Sequence, residues 1–214
     1  MNLEVFDLGL IDYTPALEYQ KKIFARVKEN KLHSALIICR HNPVITLGRQ
    51  ADGKNILVSQ GQLTAIGISV SNVERGGDVT YHGPGQLTAY PIFDLNYFKK
   101  DIRLFLRNLE QVVIDFLAGY RVNGLRKKGL TGVWVSGQKI SSIGIAIRNW
   151  ITFHGVSVNI KSGDLNNFRM IRPCGMDIQV TSLESAAQKK FEIDGLKQDL
   201  IRSFKHNFNR GQGG

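Results

Sequence analysis

Residues 130–160, LTGVWVSGQKISSIGIAIRNWITFHGVSVNI, decide the fold class of this chain because their apolar residues repeat with a period of two. The run VWV ends at Ser136-Gly137, and the isoleucines at 143, 145 and 147 alternate with other residues. Asn149-Trp150 then forms a second turn before ITFHGVSVNI. This period is typical of β-strands, and short turn pairs between such runs are typical of hairpins. The stretch therefore predicts a β-meander.

The pattern of apolar residues shifts by one position within the last strand of the meander. The apolar residues are odd-numbered at first and even-numbered later: Ile151 and Phe153, then Val156, Val158 and Ile160. Gly155 lies at the change, and an extra residue in one strand bends it and redirects nearby side chains. We therefore expect a β-bulge or a bend at Gly155 that redirects the side chain of His154.

Helical patterns and further strands flank the meander. Thr14-Pro15 is typical of a helix start, and residues 101–119 carry apolar side chains at helical spacing before Gly119. Another helix is predicted over about 194–209. A short helix is predicted near 59–66, and strands at 35–39, 44–48, 68–74 and from 87 onward, where Pro91 limits ladder pairing. The order predicts the α/β class, as an α+β mixed sheet with flanking helices, in a single domain over 1–214.

Charge is the most informative feature of the composition. The chain has 28 lysines and arginines against 18 acidic residues, which gives a net charge of +10. Such an excess favours an acidic partner, either nucleic acid, anionic lipid or an acidic protein. The basic residues are scattered and lack the aromatic interleaving of many RNA-binding segments. Solvated basic faces with no specific partner are the alternative explanation.

Several classes of protein and of site lack their usual patterns here. No apolar run reaches the roughly 18–20 residues of a membrane span, and no basic segment precedes an apolar stretch near the N-terminus. Two distant cysteines favour neither a disulfide framework nor a zinc site. No P-loop, dinucleotide, G-x-S-x-G or H-E-x-x-H motif occurs. We therefore expect a cytoplasmic protein with no cofactor and no metal, and a monomer is the default oligomeric state.

The segment RGGDVTYHGPGQL, residues 75–87, concentrates glycine where polar side chains are also concentrated. Glycine allows a tight turn, and it also allows the backbone to pass close to something that is not protein. The segment predicts either a turn or a binding loop.

Cys174 is the better candidate of the two cysteines for a reactive thiol. Pro173 and Gly175 make RMIRPCGMD a turn, and Arg172 nearby favours the thiolate. Cys39 lies inside ALIIC, where a cysteine usually behaves as a small buried apolar residue. An inert loop cysteine at position 174 is the alternative.

A thiol nucleophile needs a base, and five histidines and Lys139 are candidates. Lys139 shares the odd parity of Ile143, Ile145 and Ile147, so a continuous strand directs it to the same apolar face. Burial there would lower the pKa of the lysine from about 10.4 towards that of a thiol, about 8.5. The alternative is a lysine at the rim of a hairpin that extends to water.

Five segments, RGGDVTYHGPGQL, HNPVITLG, GVWVSGQKISSIG, FHGVSVNI and RPCGM, together resemble the lipoyl(octanoyl) transferase family, also called lipoate-protein ligase B. They occur in the order of the family and span about residues 3–183. The resemblance implies a fold like the biotin and lipoate ligase catalytic domains, with the acyl chain in a tunnel.

The resemblance also implies an activity, partners and site residues. The activity is ATP-independent transfer of an octanoyl group from acyl carrier protein to lysines of lipoyl domains, in 2-oxoacid dehydrogenases and glycine cleavage H protein. The catalytic residues of the family fall on Cys174, as the acyl-thioester cysteine, and on Lys139, as its activating base. The substrate-binding segments fall on Arg75, Gly76, Gly77, Asp78, Val79, Thr80, Tyr81 and His82, on Ser142, Ile143 and Gly144, and on Gly155, Val156 and Ser157.

Two rival functions remain at this point. An ATP-dependent lipoate or biotin protein ligase would share the fold, but it would leave the reactive cysteine unexplained. A catalytically inactive module that holds a carrier protein or nucleic acid would form no acyl adduct.

Overall fold

A computed structural model describes residues 3–209 of the chain, with the backbone alone for Cys174. The strands are β1 (Glu4–Ile11), β2 (Ser34–His41), β3 (Val44–Leu47), β4 (Ser69–Asn72), β5 (Val79–His82), β6 (Gln86–Phe93), β7 (Leu125–Lys127), β8 (Leu130–Val135), β9 (Gln138–Arg148) and β10 (Ile151–Asn159). The helices are α1 (Tyr13–Lys28), α2 (Gln60–Ala65), α3 (Ile102–Ala118), α4 (Leu183–Ala187) and α5 (Ile193–Asn209). Over these described residues, no helix is both long and apolar enough to cross a membrane.

The strands form two sheets. The larger has the order β1-β2-β6-β10-β9-β8-β7, in which β1 and β2 are parallel and the other neighbours antiparallel. The smaller has the order β4-β3-β5, with β3 parallel to β4 and antiparallel to β5. The predicted α/β class, with a mixed sheet and flanking helices, is confirmed, and so is the β-meander, which forms β8, β9 and β10.

Helices cover both faces of the larger sheet. Leu36 and Ile38 of β2 pack in one core with residues of α3 and α5, such as Val113 and Phe204. The alternate residues of the same strand, such as Ile37, pack in a second core with α1. Central strands are therefore buried on both faces, which is why they are apolar at consecutive positions.

The predicted β-bulge at Gly155 is wrong. β10 pairs with β9 in one continuous register, from Ile151 opposite Arg148 to Val158 opposite Ser141, so no extra residue is inserted. The parity of the apolar residues changes because different faces of β10 meet different cores. Ile151 belongs to the α1 core, and Val156 belongs to the core of α3 and α5.

The side chain of His154 is nevertheless redirected, as expected. The cause is a left-handed backbone conformation at His154 itself, with φ of 57°. Its even position would otherwise direct it towards α3 and α5, yet its ring meets Tyr13 of α1, with Nδ1 3.3 Å from the Tyr13 hydroxyl. One non-glycine residue in an uncommon conformation thus redirects a side chain without a change of register.

Among the strands and α-helices named above, four have no counterpart among the predicted ones: β1, β5, β7 and α4. β5 is the most relevant because it lies within the glycine-rich segment that favoured a turn. The expected effect of Pro91 is confirmed, since the ladder between β6 and β10 covers Gln86–Ala89 and ends before the proline.

Gly155 lets β10 approach β6 closely, and this predicts a large cost for an added methyl group. A Cβ at this position would overlap the Ala89 carbonyl oxygen and lie 2.7 Å from Cδ of Pro91. We expect Gly155→Ala to lower the free energy of unfolding by about 2 kcal/mol or more, since both neighbours belong to a rigid central strand. Urea denaturation measures this.

Gly195→Ala in α5 is the matched control, because nothing lies within 4 Å of a Cβ there. The control should be neutral or slightly stabilising, as alanine is the better helix former. Equal stability of Gly155→Ala and the wild type would contradict the close approach.

Candidate active site

A cavity of about 490 Å³ lies where the two sheets meet, between β5 of the smaller sheet and β6, β9 and β10 of the larger. All but one of the predicted site residues whose side chains the structure describes line it. They are Lys139, Arg75, Gly76, Gly77, Asp78, Val79, Thr80, His82, Ser142, Ile143, Gly144, Gly155, Val156 and Ser157. The fold thus brings together three segments that are far apart in sequence.

Tyr81 is the exception, and its prediction as a substrate contact is corrected. Side chains alternate along β5, so Thr80 and His82 face the cavity while Tyr81 faces the core beneath the smaller sheet. The Tyr81 ring is fully buried against Phe168, and its hydroxyl accepts a hydrogen bond of 2.7 Å from Asn167. Tyr81 therefore packs beneath the site and does not line it.

Arg75 holds the glycine-rich segment against the smaller sheet. Its guanidinium is buried, and Nη2 donates to the carbonyl oxygen and to Oγ1 of Thr46, at 2.8 and 2.9 Å. His82 forms a hydrogen bond of 3.2 Å with the side chain of Gln86. These contacts brace the glycine-rich segment at both of its ends.

The two positions after Arg75 differ in whether the fold itself requires glycine there. Gly77 has a φ of 82°, in the region that favours glycine. A Cβ on Gly76 would meet the Ile145 carbonyl oxygen at 3.6 Å, which is ordinary contact. Of these two positions, only 77 requires glycine because of the protein's own backbone. Any close approach at Gly76 would be to a bound molecule.

Lys139 lies near the start of β9 and is half-buried. It lines the cavity, as do Ile143 and Ile145, but Ser142 and Gly144 of the opposite parity line it as well. The pairing of β9 with β8 shifts register between Lys139 and Ser141, so the shared face that parity predicted stays a prediction. The Nζ of Lys139 lies 5.3 Å from the centre of the Trp134 ring. The side chain of Lys139 is thus directed along the cavity wall and not along an outer rim.

The segment that follows the Cys174 turn is paired with Lys139 through the backbone. The Lys139 amide donates to the Gln179 carbonyl at 2.8 Å, and the Lys139 carbonyl accepts from the Thr181 amide at 2.9 Å. Pro173 and Met176, on either side of Cys174, line the cavity. The side chain of Cys174 lies outside the described residues, so its role stays a prediction.

A cluster of buried polar rings forms another part of the cavity wall. Tyr13, His82, Tyr90 and His154 line the cavity, and His41 lies behind them. His41 donates from Nδ1 to the Ile11 carbonyl at 3.0 Å and accepts at Nε2 from the Tyr90 hydroxyl at 2.6 Å. These rings come from α1, β2, β5, β6 and β10, and only His82 falls in a predicted substrate-binding segment.

Burial keeps the rings of this cluster uncharged near neutral pH. Loss of hydration lowers the pKa of His41 and of His154 from 6.5 to about 4, and it lowers the pKa of His82 well below 6.5. The same cause raises the pKa of Tyr90 well above 10.0. Apart from Arg75, this part of the wall is therefore polar but neutral.

The buried histidines predict that the protein loses stability in mild acid. Their pKa values are lower in the folded chain than in the unfolded one, so the unfolded chain binds more protons as the pH falls from about 6.5 to about 4. Between about pH 7 and pH 5 we expect a loss of about 2 kcal/mol for each of His41 and His154. Urea unfolding at the two pH values measures it.

Substitution of one histidine tests the source of this loss. His154→Gln should reduce the difference between the two pH values, and His206→Gln, at an exposed site on α5, should leave it unchanged. Stability that does not vary between these pH values would refute the assignment.

Residues 12–205 match the family described as the lipoyl protein ligase A/B catalytic domain. The chain is 44% identical over 207 residues to an octanoyltransferase of Caldicellulosiruptor saccharolyticus, covering 95% of this chain and 88% of that protein. The resemblance predicted from the five motifs is therefore confirmed.

Solved structures of ligases share the fold. A crystal structure of lipoate-protein ligase A bound with ATP matches with a TM-score of 0.79 at 16% identity, covering 98% of this chain and 86% of the other. The biotin protein ligase of Aquifex aeolicus matches with a TM-score of 0.55 at 13% identity, over 99% and 70%. At such identities the likeness establishes the fold alone, and the predicted ligase-like fold is confirmed.

Proposed function

The chain belongs to the lipoyl protein ligase A/B catalytic domain family and catalyses octanoyl transfer for protein lipoylation, and we propose that it does so through a thioester on Cys174 with Lys139 as the base. The donor is octanoyl-acyl carrier protein. The acceptors are lysines of lipoyl domains, in 2-oxoacid dehydrogenases and in glycine cleavage H protein. Residues 1–214 act as a single, monomeric acyltransferase domain in the cytoplasm, where thiols stay reduced.

One observation carries the proposal: the backbone pairing of Lys139 with residues 179–181. It joins the strand of the base to the segment that follows the cysteine turn, beside the cavity. A proton passes between two groups within hydrogen-bond reach or through one water, and this pairing supports such an arrangement.

The first half-reaction moves the acyl group onto the enzyme. Lys139, in its neutral form, takes the thiol proton of Cys174, and the thiolate attacks the carbonyl carbon of the donor thioester. The new carbon–sulfur bond forms, the bond to the sulfur of the carrier breaks, and that sulfur takes the proton from Lys139. One thioester replaces another, so the exchange is close to energy-neutral and needs no nucleotide.

The second half-reaction moves the acyl group to the acceptor lysine. The amine, after its ammonium form has lost one proton to water, attacks the thioester carbon and passes a second proton to Lys139. The carbon–sulfur bond breaks, and Cys174 regains its proton from Lys139. Two bulky protein substrates thus use one site in turn, which predicts ping-pong kinetics.

The cavity supplies the acyl-binding surface in this proposal. The octanoyl chain lies between the glycine-rich segment and β9 and β10, where Ile143, Val156 and the backbone of Gly76 and Gly77 line the wall. The polar side chains of Thr80 and His82 orient the head of the substrate, and Asp78, bonded by Asn55, supports the loop that carries them. The net charge of +10 fits acidic carrier proteins, and complementary charge raises mainly the rate of encounter.

Incubation with octanoyl-acyl carrier protein and a lipoyl domain, without ATP, tests the function. The expected result is a mass gain of one octanoyl group on the lipoyl domain, and in its absence a stable octanoyl adduct on the enzyme. Strict dependence on ATP and free octanoate would reject the proposal in favour of a ligase. Absence of any adduct and any transfer would favour an inactive binding module.

A further inference from the structure

One short segment, residues 49–57, connects the glycine-rich segment to the turn that carries Cys174. Near its start, the Gln50 amide donates to the Gly77 carbonyl at 3.1 Å. Near its end, the Leu57 amide donates to the Met170 carbonyl at 2.8 Å, and Ile56 forms an antiparallel bridge with Ile171. None of the motifs that point to the function includes this segment.

Asn55 is the residue of this segment that bonds to both sides. Its side-chain amide donates to Oδ2 of Asp78 at 2.5 Å. Its backbone carbonyl accepts from the Arg172 amide at 2.8 Å, two residues before Cys174. Asn55 therefore joins the aspartate of the glycine-rich segment to the cysteine turn through a single residue.

The carboxylate of Asp78 depends on this contact. Asp78 is 7% exposed, and its Oδ1 is buried without a hydrogen-bond partner among the residues that the structure describes. A buried carboxylate is costly unless donors compensate it, and the amide of Asn55 is such a donor. The contact is therefore strongly favoured, and it holds Asn55 in place.

The cysteine turn is thus held at two ends. Arg172 bonds to Asn55 on one side, and Gln179 and Thr181 bond to the backbone of Lys139 on the other. The segment 172–179 lies between these two attachments. Without the Asn55–Arg172 bond, the nearest attachment before Cys174 would be the bridge at Ile171, and the distance between the Cys174 turn and Lys139 would be less well defined.

We propose that Asn55 is a positioning residue for the acyl transfer, which holds the Cys174 turn at its working distance from Lys139 by bonding Asp78 and Arg172 at once. The proposal rests on the proposed function, because it assumes that Cys174 and Lys139 react together. Asn55 acts through the turn and does not touch the acyl group.

Exchange of the two side chains tests the proposal. Asn55→Asp places two carboxylates face to face, so we expect octanoyl adduct formation in a single turnover to slow at least about tenfold, with little change in KM for the donor. Asp78→Asn keeps an amide–oxygen hydrogen bond, so its effect should be smaller. The double variant, Asn55→Asp with Asp78→Asn, restores donor and acceptor and should recover to within about threefold of the wild type.

A second readout separates positioning from loss of stability. Alkylation of Cys174 by iodoacetamide, followed over pH and assigned by peptide mass, reports how strongly the base activates the thiol. In Asn55→Asp the alkylation of Cys174 should require a higher pH than in the wild type. In the double variant the pH dependence should return to that of the wild type. Asn42→Asp is the matched control, because Asn42 donates to Asp12 at 2.6 Å in an equivalent but exposed pair.

The outcomes separate this inference from the proposed function. If the wild type forms no adduct on Cys174, the proposed function fails. If the wild type forms it and Asn55→Asp does so equally fast, the positioning role is wrong. A severe loss in Asp78→Asn that the double variant does not recover would also overturn it, since the charge of Asp78 would then act on the substrate directly.

Discussion

We expect Cys174→Ala to abolish octanoyl transfer, with a rate loss of at least about 1,000-fold and no acyl adduct on the enzyme. Removal of a nucleophile eliminates the covalent path entirely, and the remaining groups cannot carry the acyl chain between two proteins. Intact-mass measurement after incubation with octanoyl-acyl carrier protein detects the adduct, and the mass of the lipoyl domain reports the transfer. Circular dichroism shows whether the variant is folded.

Cys39→Ser is the matched control for this experiment. Cys39 is fully buried in β2, and its Sγ lies 3.4 Å from Nε2 of His41. Burial raises the pKa of its thiol far above the usual range, which keeps it protonated and inert. Transfer should stay close to the wild-type rate, with some loss of stability. A stable Cys39→Ser protein without activity would reverse the order of the two cysteines.

The parts of the fold that sequence predicts are those with a local pattern. The period-two isoleucines of β9 and the helical spacing of Leu109, Val113 and Phe116 in α3 predict their elements because burial on one face repeats along the chain. β5 has no such pattern, since glycines surround it and all four of its residues are buried. Its pairing with β3 is a tertiary contact that local residue types do not encode.

The candidate site is predictable only in part, for the same reason. Parity predicted an apolar face for Lys139 but not the register shift beside it, and a turn made Cys174 a candidate, while the pairing of the two came from the family resemblance. Tyr13 and His154 are 141 residues apart, so no spacing rule brings them together. The expected bulge at Gly155 was wrong because parity alone does not distinguish an inserted residue from a strand that faces two cores.

Lys139→Ala should slow formation of the octanoyl adduct by about 100- to 10,000-fold, the range that a general base contributes, without unfolding the chain. Lys139 is half-buried on the cavity wall with its Nζ over Trp134, so the loss should fall on chemistry more than on packing. Single-turnover mass measurement at neutral pH gives the rate, and thermal unfolding gives the stability.

Lys127→Ala is the matched control, because the Nζ of Lys127 lies over the same Trp134 ring, at 5.8 Å from its centre, but Lys127 does not line the cavity. Its Nζ donates to the Gly137 carbonyl at 2.9 Å, so its removal takes away a cation and a surface hydrogen bond near the same hairpin. We expect the control to keep the wild-type rate. A near-normal rate in Lys139→Ala would exclude Lys139 as the base. Equal losses in both variants would assign the effect to the β8–β9 hairpin that carries Trp134.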